Sequence, residues 1–502
     1  MLRFAARKVQ SLVTDRVAKI ADRRSSFFTM VFSCLAIALS WSPRFVLFLL
    51  LLLPASVAKR KIRLAIGNSL FQLDHPLEAL QYLEQSLRVS QPSTDEYLLR
   101  AMCLFQGLGR FREAVLLLQR ANELRIQEIN RLGLTDIRLR VLDSVWARHI
   151  GHTATLDYVV KLGIIEGRPE QDTLVHVPPG GHVANRFLLN EMAAHLRLVE
   201  NSFDLPFDVS AIPALHFDYL GPRCSDQTTV YFWELAGKTH RLWYKEGRGH
   251  LLTLPPGIIV RGWEALRSAG LPQDAWFVAL HVREGKWDKR KSGIHGILNA
   301  DISTYLPAIA EIVGRGGWVI RMGDSGMVPL PQLANVLDYC HSDLRADWMD
   351  IFLAACCRFM LGTSSGPAYV PALYGVPSVL TNWWPPAQRP WHPSDLFIPK
   401  MPRRLSDGEY LTLSETLSEP FSYCHSLNYL AEHFGVVVED NKADMIRAAV
   451  KEMFVRLDQP SSEDAEATEL RSRADQIYTS HNAFGMAALA SEFLRRHSNL
   501  IA

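Results

Sequence analysis

Phe359-Met-Leu-Gly-Thr-Ser-Ser-Gly366, continued by Pro367-Ala-Tyr-Val-Pro-Ala-Leu-Tyr-Gly-Val-Pro377, decides the fold of most of this chain. Phe359–Leu361 is a short apolar run that reads as a strand, and Gly362–Gly366 is a turn of small and hydroxyl residues. A helical stretch follows, closed by Gly375-Val376-Pro377, and Ser378–Thr381 is a second apolar strand. Strand, turn, helix, strand is the signature of a parallel sheet, because parallel neighbours need a crossover and a helix supplies it. A small-residue turn at a helix start also presents backbone N–H groups, so Thr363, Ser364, Ser365 and Gly366 describe a phosphate cradle.

The same rhythm extends in both directions. Strands are expected at Leu174–Val177, Val230–Trp233, Ala275–Val282 and Trp318–Arg321, and helices at Phe187–Leu198, Ile302–Val313 and Trp348–Cys356. The fold class expected is α/β, with two facing Rossmann-like domains, 166–275 and 276–440, whose ligand crevices lie at the carboxyl ends of the strands. Two further strand exits carry chemistry. In Val278-Ala-Leu-His-Val-Arg-Glu284, His281 and Arg283 share a face, and an Arg there offers bidentate bonds to phosphate. Trp318-Val-Ile-Arg-Met-Gly-Asp-Ser325 ends in Asp324 and Ser325. In the first domain, Pro178–Arg186 is a loop with Gly180, Gly181, His182 and Asn185 ahead of a helix. Each has a plainer reading. Arg283 could pair with Glu284 or Asp288, Asp324 could cap a helix, and Thr363–Ser365 could be N-caps.

Composition limits what lies around this body. With 502 residues, 48% hydrophobic and 21% charged, the chain is not intrinsically disordered and has length for about three domains. Residues 1–63 hold twelve Lys/Arg against Asp15 and Asp22, a local charge of +10; the net charge of +2 therefore leaves −8 on residues 64–502. An acidic body argues against nucleic-acid binding, and the basic end points to a membrane surface. Beyond the basic segment 1–26, residues 27–58 are apolar except at Ser42-Pro43-Arg44 and are expected to insert in a membrane, as a hairpin or as one tilted span. Seven cysteines without a C-x-x-C spacing fit neither a disulfide framework nor a zinc ribbon; they imply a reducing compartment and small core residues.

Residues 59–165 read as helical and contain an echo. Leu70-Phe71-Gln72 returns as Leu104-Phe105-Gln106, and Leu77-Glu-Ala-Leu80 as Arg112-Glu-Ala-Val115, offsets of 34 and 35. With Ala79 and Ala114 at the expected crossings, the pattern resembles tetratricopeptide repeats, packed on a neighbouring helix at Ile126–Arg148. It implies a spacer or a surface for a protein partner. Residues 441–502 are expected to be C-terminal helices, with a polar linker at 459–469 and an amphipathic helix at Gly485–Arg496.

His281-x-Arg283, Gly323-Asp-Ser325 and Gly362-Thr-Ser-Ser-Gly366 together resemble the donor-domain motifs of fucosyltransferase-like GT-B glycosyltransferases, and the Gly180–Asn190 loop is similar to the first loop of their acceptor domain. Anchor, helices and body together resemble a group of bacterial glycosyltransferases. The resemblance implies that Arg283 binds the donor's β-phosphate, that Ser364 and Ser365 bind the pyrophosphate, and that Asp324 lies on the nucleoside side. It also implies a C-terminal helix that crosses back to the first domain. Glu284-Gly-Lys-Trp-Asp288 replaces the family's more usual second Arg, so no particular nucleotide base is implied. No Asp-x-Asp stands at a strand end, so no metal clamp is implied and Arg283 and helix dipoles must hold the leaving charge. The acceptor's proton needs a base. Candidates are Glu284, Asp288, His295, Asp218 and His182, the first two preferred. The loop with Trp383, Trp384 and Trp391 either stacks on sugar or lipid or folds over the cleft. The expectation is a glycosyltransferase on the cytoplasmic side of the inner membrane, joining a nucleotide-sugar donor to a cell-envelope glycan or lipid-linked acceptor. No cofactor is expected beyond the nucleotide-sugar, which is a substrate. A sugar-nucleotide epimerase and a non-catalytic scaffold are the rival readings.

Overall fold

The structure, a computed structural model, describes residues 57–87, 92–134, 139–200, 212–224, 226, 228–284, 293–459 and 465–501. The basic segment and nearly all of the expected membrane segment lie outside the described residues. Among the described residues no helix is long and apolar enough to cross a membrane.

The chain opens with two helical hairpins, α1 (Val57–Gln72) with α2 (Pro76–Leu87) and α3 (Thr94–Met102) with α4 (Phe111–Arg131). Asp74 takes a left-handed φ of 67° in the first turn, and Ser93 and Glu96 form a capping box that starts α3. Ala79 and Ala114 are fully buried, as small residues at close helix contacts must be. The helix expected at Ile126–Arg148 does not form. α4 stops at Arg131, Gly133 turns the chain at φ 67°, and Arg140–Leu142 becomes strand β1. A three-residue strand is too short for periodicity to reveal.

β1 pairs in parallel with β2 (Thr173–His176), and β2 with β3 (Arg197–Val199). Helix α5 (Ile150–Ile165) connects β1 to β2, and α6 (Arg186–Met192) connects β2 to β3. This first α/β unit therefore begins near Arg140, inside the stretch read as helical. A parallel bridge from His216 to Val141 extends it on the other side of β1. The strand expected at Val230–Trp233 does not form; Val230 and Tyr231 lead into α7 (Phe232–Lys245), with Tyr231 as its N-cap. Its apolar run continues at helical spacing through Leu235, Ala236, Thr239, His240 and Trp243, all buried, and that period overrides the local strand preference of Val-Tyr-Phe-Trp.

The second unit is entered through α8 (Pro256–Ser268), where the bare Cα face of Gly262 lets the ring of Phe352 close in. It is a seven-stranded parallel sheet built from β4 (Phe277–His281), β5 (Trp318–Arg321), β6 (Val336–Leu337), β7 (Met360–Thr363), β8 (Ser378–Trp383), β9 (Leu396–Pro399) and a late β12 (Ala488–Leu489). Helix α9 (Leu306–Gly314) precedes β5, and α10 (Asp347–Cys356) precedes β7. β4, β7, β8 and β9 are buried at every residue, which explains why they read as unbroken apolar runs. The order is β12-β9-β8-β7-β4-β5-β6. Taking β4 as first, β4–β9 run 3-2-1-4-5-6, the doubly wound order of dinucleotide-binding sheets.

A small antiparallel pair, β10 (Met401–Arg404) with β11 (Val436–Glu439), flanks α11 (Leu427–Phe434). The chain ends with α12 (Ala443–Asp458), α13 (Ala465–Ser480), β12 and α14 (Ser491–Arg496). The single helix expected at Gly485–Arg496 is thus divided, because Ala488 and Leu489 extend the sheet beside β9. The segment before β12 reaches the first unit: Arg241 on α7 donates to the Phe484 carbonyl at 3.1 Å. All six described cysteines are free.

Candidate functional site

In a doubly wound sheet the crossovers leave in opposite directions from the first and fourth strands, and a crevice opens at their carboxyl ends. Here those strands are β4 and β7, paired through His281 and Gly362. Arg283 leaves the end of β4. Its backbone N–H donates to Thr363 Oγ1 at 3.0 Å, its Nε donates to Asn299 Oδ1 at 3.2 Å, and its carbonyl accepts from Ala300 N–H. Arg283 and Thr363, eighty residues apart in the chain, are brought together here.

Two buried histidines join them. His281 Nδ1 has no hydrogen-bond partner; burial first, then the charges of Arg283 and Arg321, push its pKa down to about 4. His425 has no partner on either ring nitrogen, and burial, then Arg283, push its pKa down to about 3. The ring of His295 lies 5.7 Å from that of His425. His425 was not readable from sequence, since Ser422-Tyr-Cys-His425 matches no motif. Its position comes from the hairpins: His425 N–H donates to the Gln106 carbonyl at 2.6 Å, in the π-helical turn between α3 and α4. The result is a fixed guanidinium beside two neutral imidazoles with unmet bonding capacity. An anion here would supply the negative charge that favours protonated rings.

Other expected residues are placed differently. Glu284, preferred as a base, is buried and spent: Oε1 accepts from Arg321 Nη2 at 2.6 Å and Oε2 from Val328 N–H at 2.9 Å. Arg321 is wholly buried, so its charge requires this carboxylate. Asp218 is likewise taken, by Arg125 at 2.8 Å and by the N–H groups of Leu220 and Gly221. Asp288 lies outside the described residues.

Ser364, implied to bind pyrophosphate, gives its hydroxyl to the Trp384 carbonyl at 2.5 Å. Gly366 is covered by the first turn of α5, and a Cβ on Gly366 would stand 2.8 Å from Gly151 N. The cradle's glycine thus serves backbone-to-backbone contact between the two units. Ser365 begins a single 3₁₀ turn, Gly366–Tyr369, with no side-chain cap.

Asp324 is half exposed and caps its own turn through Gly326 N–H; Ser325 is exposed beside it. In the first unit Gly180 takes φ 74° at an exposed turn, Gly181 follows it, and His182 is exposed. Asn185 is the N-cap of α6, accepting from Leu188 N–H, and also donates to the Asp347 carbonyl at the start of α10. Asp347 in turn accepts from Arg186 N–H at 2.6 Å, so this loop closes against the second unit. Nearby, burial raises Asp350 to about 6, and its Oδ1 accepts from the Tyr339 hydroxyl.

The tryptophan loop takes its structural role. Trp383 Nε1 donates to Gln388 O, Trp384 Nε1 donates to Cys424 O, and Trp391 packs on Trp233 with ring centroids 4.1 Å apart.

No family model matches the chain, and no curated protein matches it. Among solved structures, the chain is similar to a family 9 glycosyl transferase from Veillonella parvula DSM 2008, with 11% identity and a TM-score of 0.34 over 64% of this chain and 98% of that one. It is also similar to TibC, an iron-containing dodecameric glycosyltransferase from enterotoxigenic E. coli H10407, with 12% identity and a TM-score of 0.36 over 64% of this chain and 76% of that one.

Proposed function

We propose that this chain is a glycosyltransferase of the GT-B kind, transferring a hexosyl or deoxyhexosyl group from a nucleotide-sugar to a glycan or lipid-linked acceptor of the cell envelope. The supporting observation is the crevice between β4 and β7, where Arg283 is pinned by Thr363 and Asn299 beside the unpartnered Nδ1 of His281 and the unbonded ring of His425. Such a cluster is built for a multiply charged anion, and a departing nucleoside diphosphate carries that charge. Arg283 stabilises it as the glycosidic bond breaks, with no metal clamp in this reading. The imidazoles contact the same anion, and their lowered pKa values keep two further cations from crowding Arg283 before it binds. For an inverting transfer the acceptor hydroxyl arrives on the face opposite the leaving group. A base beside Arg283 would then be on the departing side, which favours His182 on the first unit's exposed loop. Basic residues 1–26 and apolar residues 27–58 would hold the body at the cytoplasmic face of the inner membrane. The hairpins, like tetratricopeptide repeats in spacing, would carry a protein partner on their outer face.

One observation favours a second reading, a non-catalytic scaffold: the Ser364 hydroxyl and the Gly366 α-carbon face are both used within the fold. The two readings part on nucleotide binding. The full chain in detergent is titrated with a panel of nucleoside diphosphates, beside Arg283→Ala and His425→Ala. One nucleotide should bind, with at least about thirtyfold loss in Arg283→Ala, the lower end of what an unpaired charge contact costs. A folded protein that binds none of them leaves the scaffold.

A further inference from the structure

Just past β6, the 3₁₀ turn Tyr339–His341 brings a thiol and an imidazole against the carboxylate of Asp338. Cys340 Sγ lies 3.0 Å from Asp338 Oδ1 and 3.2 Å from His341 Nδ1, and that nitrogen lies 3.0 Å from Asp338 Oδ2. Carboxylate oxygen, thiol sulfur and imidazole nitrogen therefore stand within 4.8 Å of one another. A plain turn needs the Asp alone, and here Asp338 already accepts from Leu330 N–H at 3.0 Å. It does not need a cysteine and a histidine aimed back at the same carboxylate.

We propose that Asp338, Cys340 and His341 form a binding site for a divalent zinc-like cation. A mixed O, S, N set suits Zn²⁺, whereas Ca²⁺ and Mg²⁺ take oxygen and would leave the sulfur and nitrogen unused. Tetrahedral zinc separates its ligand atoms by about 3.3–3.6 Å, by the usual bond lengths. The sulfur and nitrogen stand 3.2 Å apart, and with one Asp338 oxygen the three donors lie within 4.8 Å of one another, so binding would need only a local adjustment of the turn. Cys340 is buried and His341 exposed, which leaves a fourth position open to water.

Charge agrees with the ligand count. Arg321 contacts both Glu284, at 2.6 Å, and Asp338, at 3.4 Å, so this cluster carries one negative charge in excess. Cation binding exchanges the Cys340 S–H bond for a metal–sulfur bond and releases that proton to solvent. Adding a divalent ion and a thiolate brings the cluster to neutrality. The ion would tie the end of β6 to the loop after β5 through Leu330 and, by way of Arg321 and Glu284, Val328. This site uses residues other than those of the crevice at β4 and β7, although Arg321 borders both, and its existence does not depend on the glycosyltransferase reading.

The test uses the full chain in detergent, stripped with a chelator and dialysed against Zn²⁺ or Co²⁺. One equivalent should bind, Co²⁺ should give a near-ultraviolet thiolate charge-transfer band, and Zn²⁺ should raise the unfolding midpoint. Cys340→Ser should lose the band. His341→Gln, at an exposed position where folding is not at stake, should bind at least about tenfold more weakly. No stoichiometric binding, binding without the thiolate band, or equal affinity in His341→Gln would each overturn the site.

Discussion

Replacing Glu284 separates its two readings, base or ion-pair partner. The carboxylate spends one oxygen on Arg321 Nη2 at 2.6 Å and the other on Val328 N–H at 2.9 Å. Glu284→Ala leaves a fully buried guanidinium with Asp338 at 3.4 Å and the Val328 carbonyl at 2.5 Å. Removing one partner of a buried pair costs about 3–5 kcal/mol, and the remaining Asp338 argues for the low end, about 3 kcal/mol. For a unit of 150–250 residues each kcal/mol moves the midpoint by about 2–4 °C, so a fall of about 6–12 °C is expected. Glu284→Gln should fall nearly as far, because its amide must set a donor against either Arg321 or Val328 N–H. Thermal unfolding of Glu284→Ala, Arg321→Ala and the double variant forms a cycle with a coupling of about 2 kcal/mol or more. Nucleotide affinity of Glu284→Gln should survive wherever the protein remains folded. A Glu284→Gln protein that unfolds within a degree of wild type, shows no coupling to Arg321 and has lost all transfer would refute this account and restore Glu284 as the base.

Three other outcomes follow from the geometry. Ser364→Ala should lower stability by about 1 kcal/mol, through the lost bond to Trp384 O, and leave nucleotide affinity unchanged; calorimetric titration beside a melt checks both. Gly366→Ala should cost about 1–3 kcal/mol by pressing a methyl into the first turn of α5, with the midpoint as readout, while Gly180→Ala, at an open turn with φ 74°, should cost less. Asp350 has a folded pKa of about 6, above the ordinary 3.8, so folding takes up a proton between about pH 4 and 6 and stability is lost as pH rises through that window. Asp350→Asn should flatten that slope, matching wild type near pH 4 and gaining about 1–3 kcal/mol at pH 7, read from melts across pH.

How much of this was legible follows from burial and distance along the chain. β4, β7, β8 and β9 are covered on both faces, so the sequence there must be continuously apolar, and such runs punctuated by helices can be read directly. β1, with three residues, and the four-residue run Val230–Trp233 that leads into α7 carry too little pattern to decide alone. Arg283 and Thr363 were readable because each ends a strand of the same sheet. The partners that removed Glu284 and Asp218 from the candidate bases lie 37 and 93 residues away, Arg321 in an otherwise apolar strand and Arg125 on α4. Nothing local announces such a pair. His425 has the same origin, since its place is set by a carbonyl more than 300 residues earlier.

The hairpins are fastened at both ends of the body. On one side α4 holds the first unit through the Arg125–Asp218 pair and through Asn122, which donates to Gly221 O at 2.9 Å. On the other side Phe111 stacks on Tyr423 at 4.7 Å, Arg112 N–H bonds Glu419, and Gly109 lets the Pro420 carbonyl approach. In mechanical terms α4 is a cross-brace spanning two plates. Any rocking of one plate against the other must shear the aromatic stack, break the Arg125 pair, or carry the brace along as a third moving body. The hairpins thus add a fastening of their own to the direct contacts between the units, and their link to the crevice runs through the Gln106 carbonyl that holds His425.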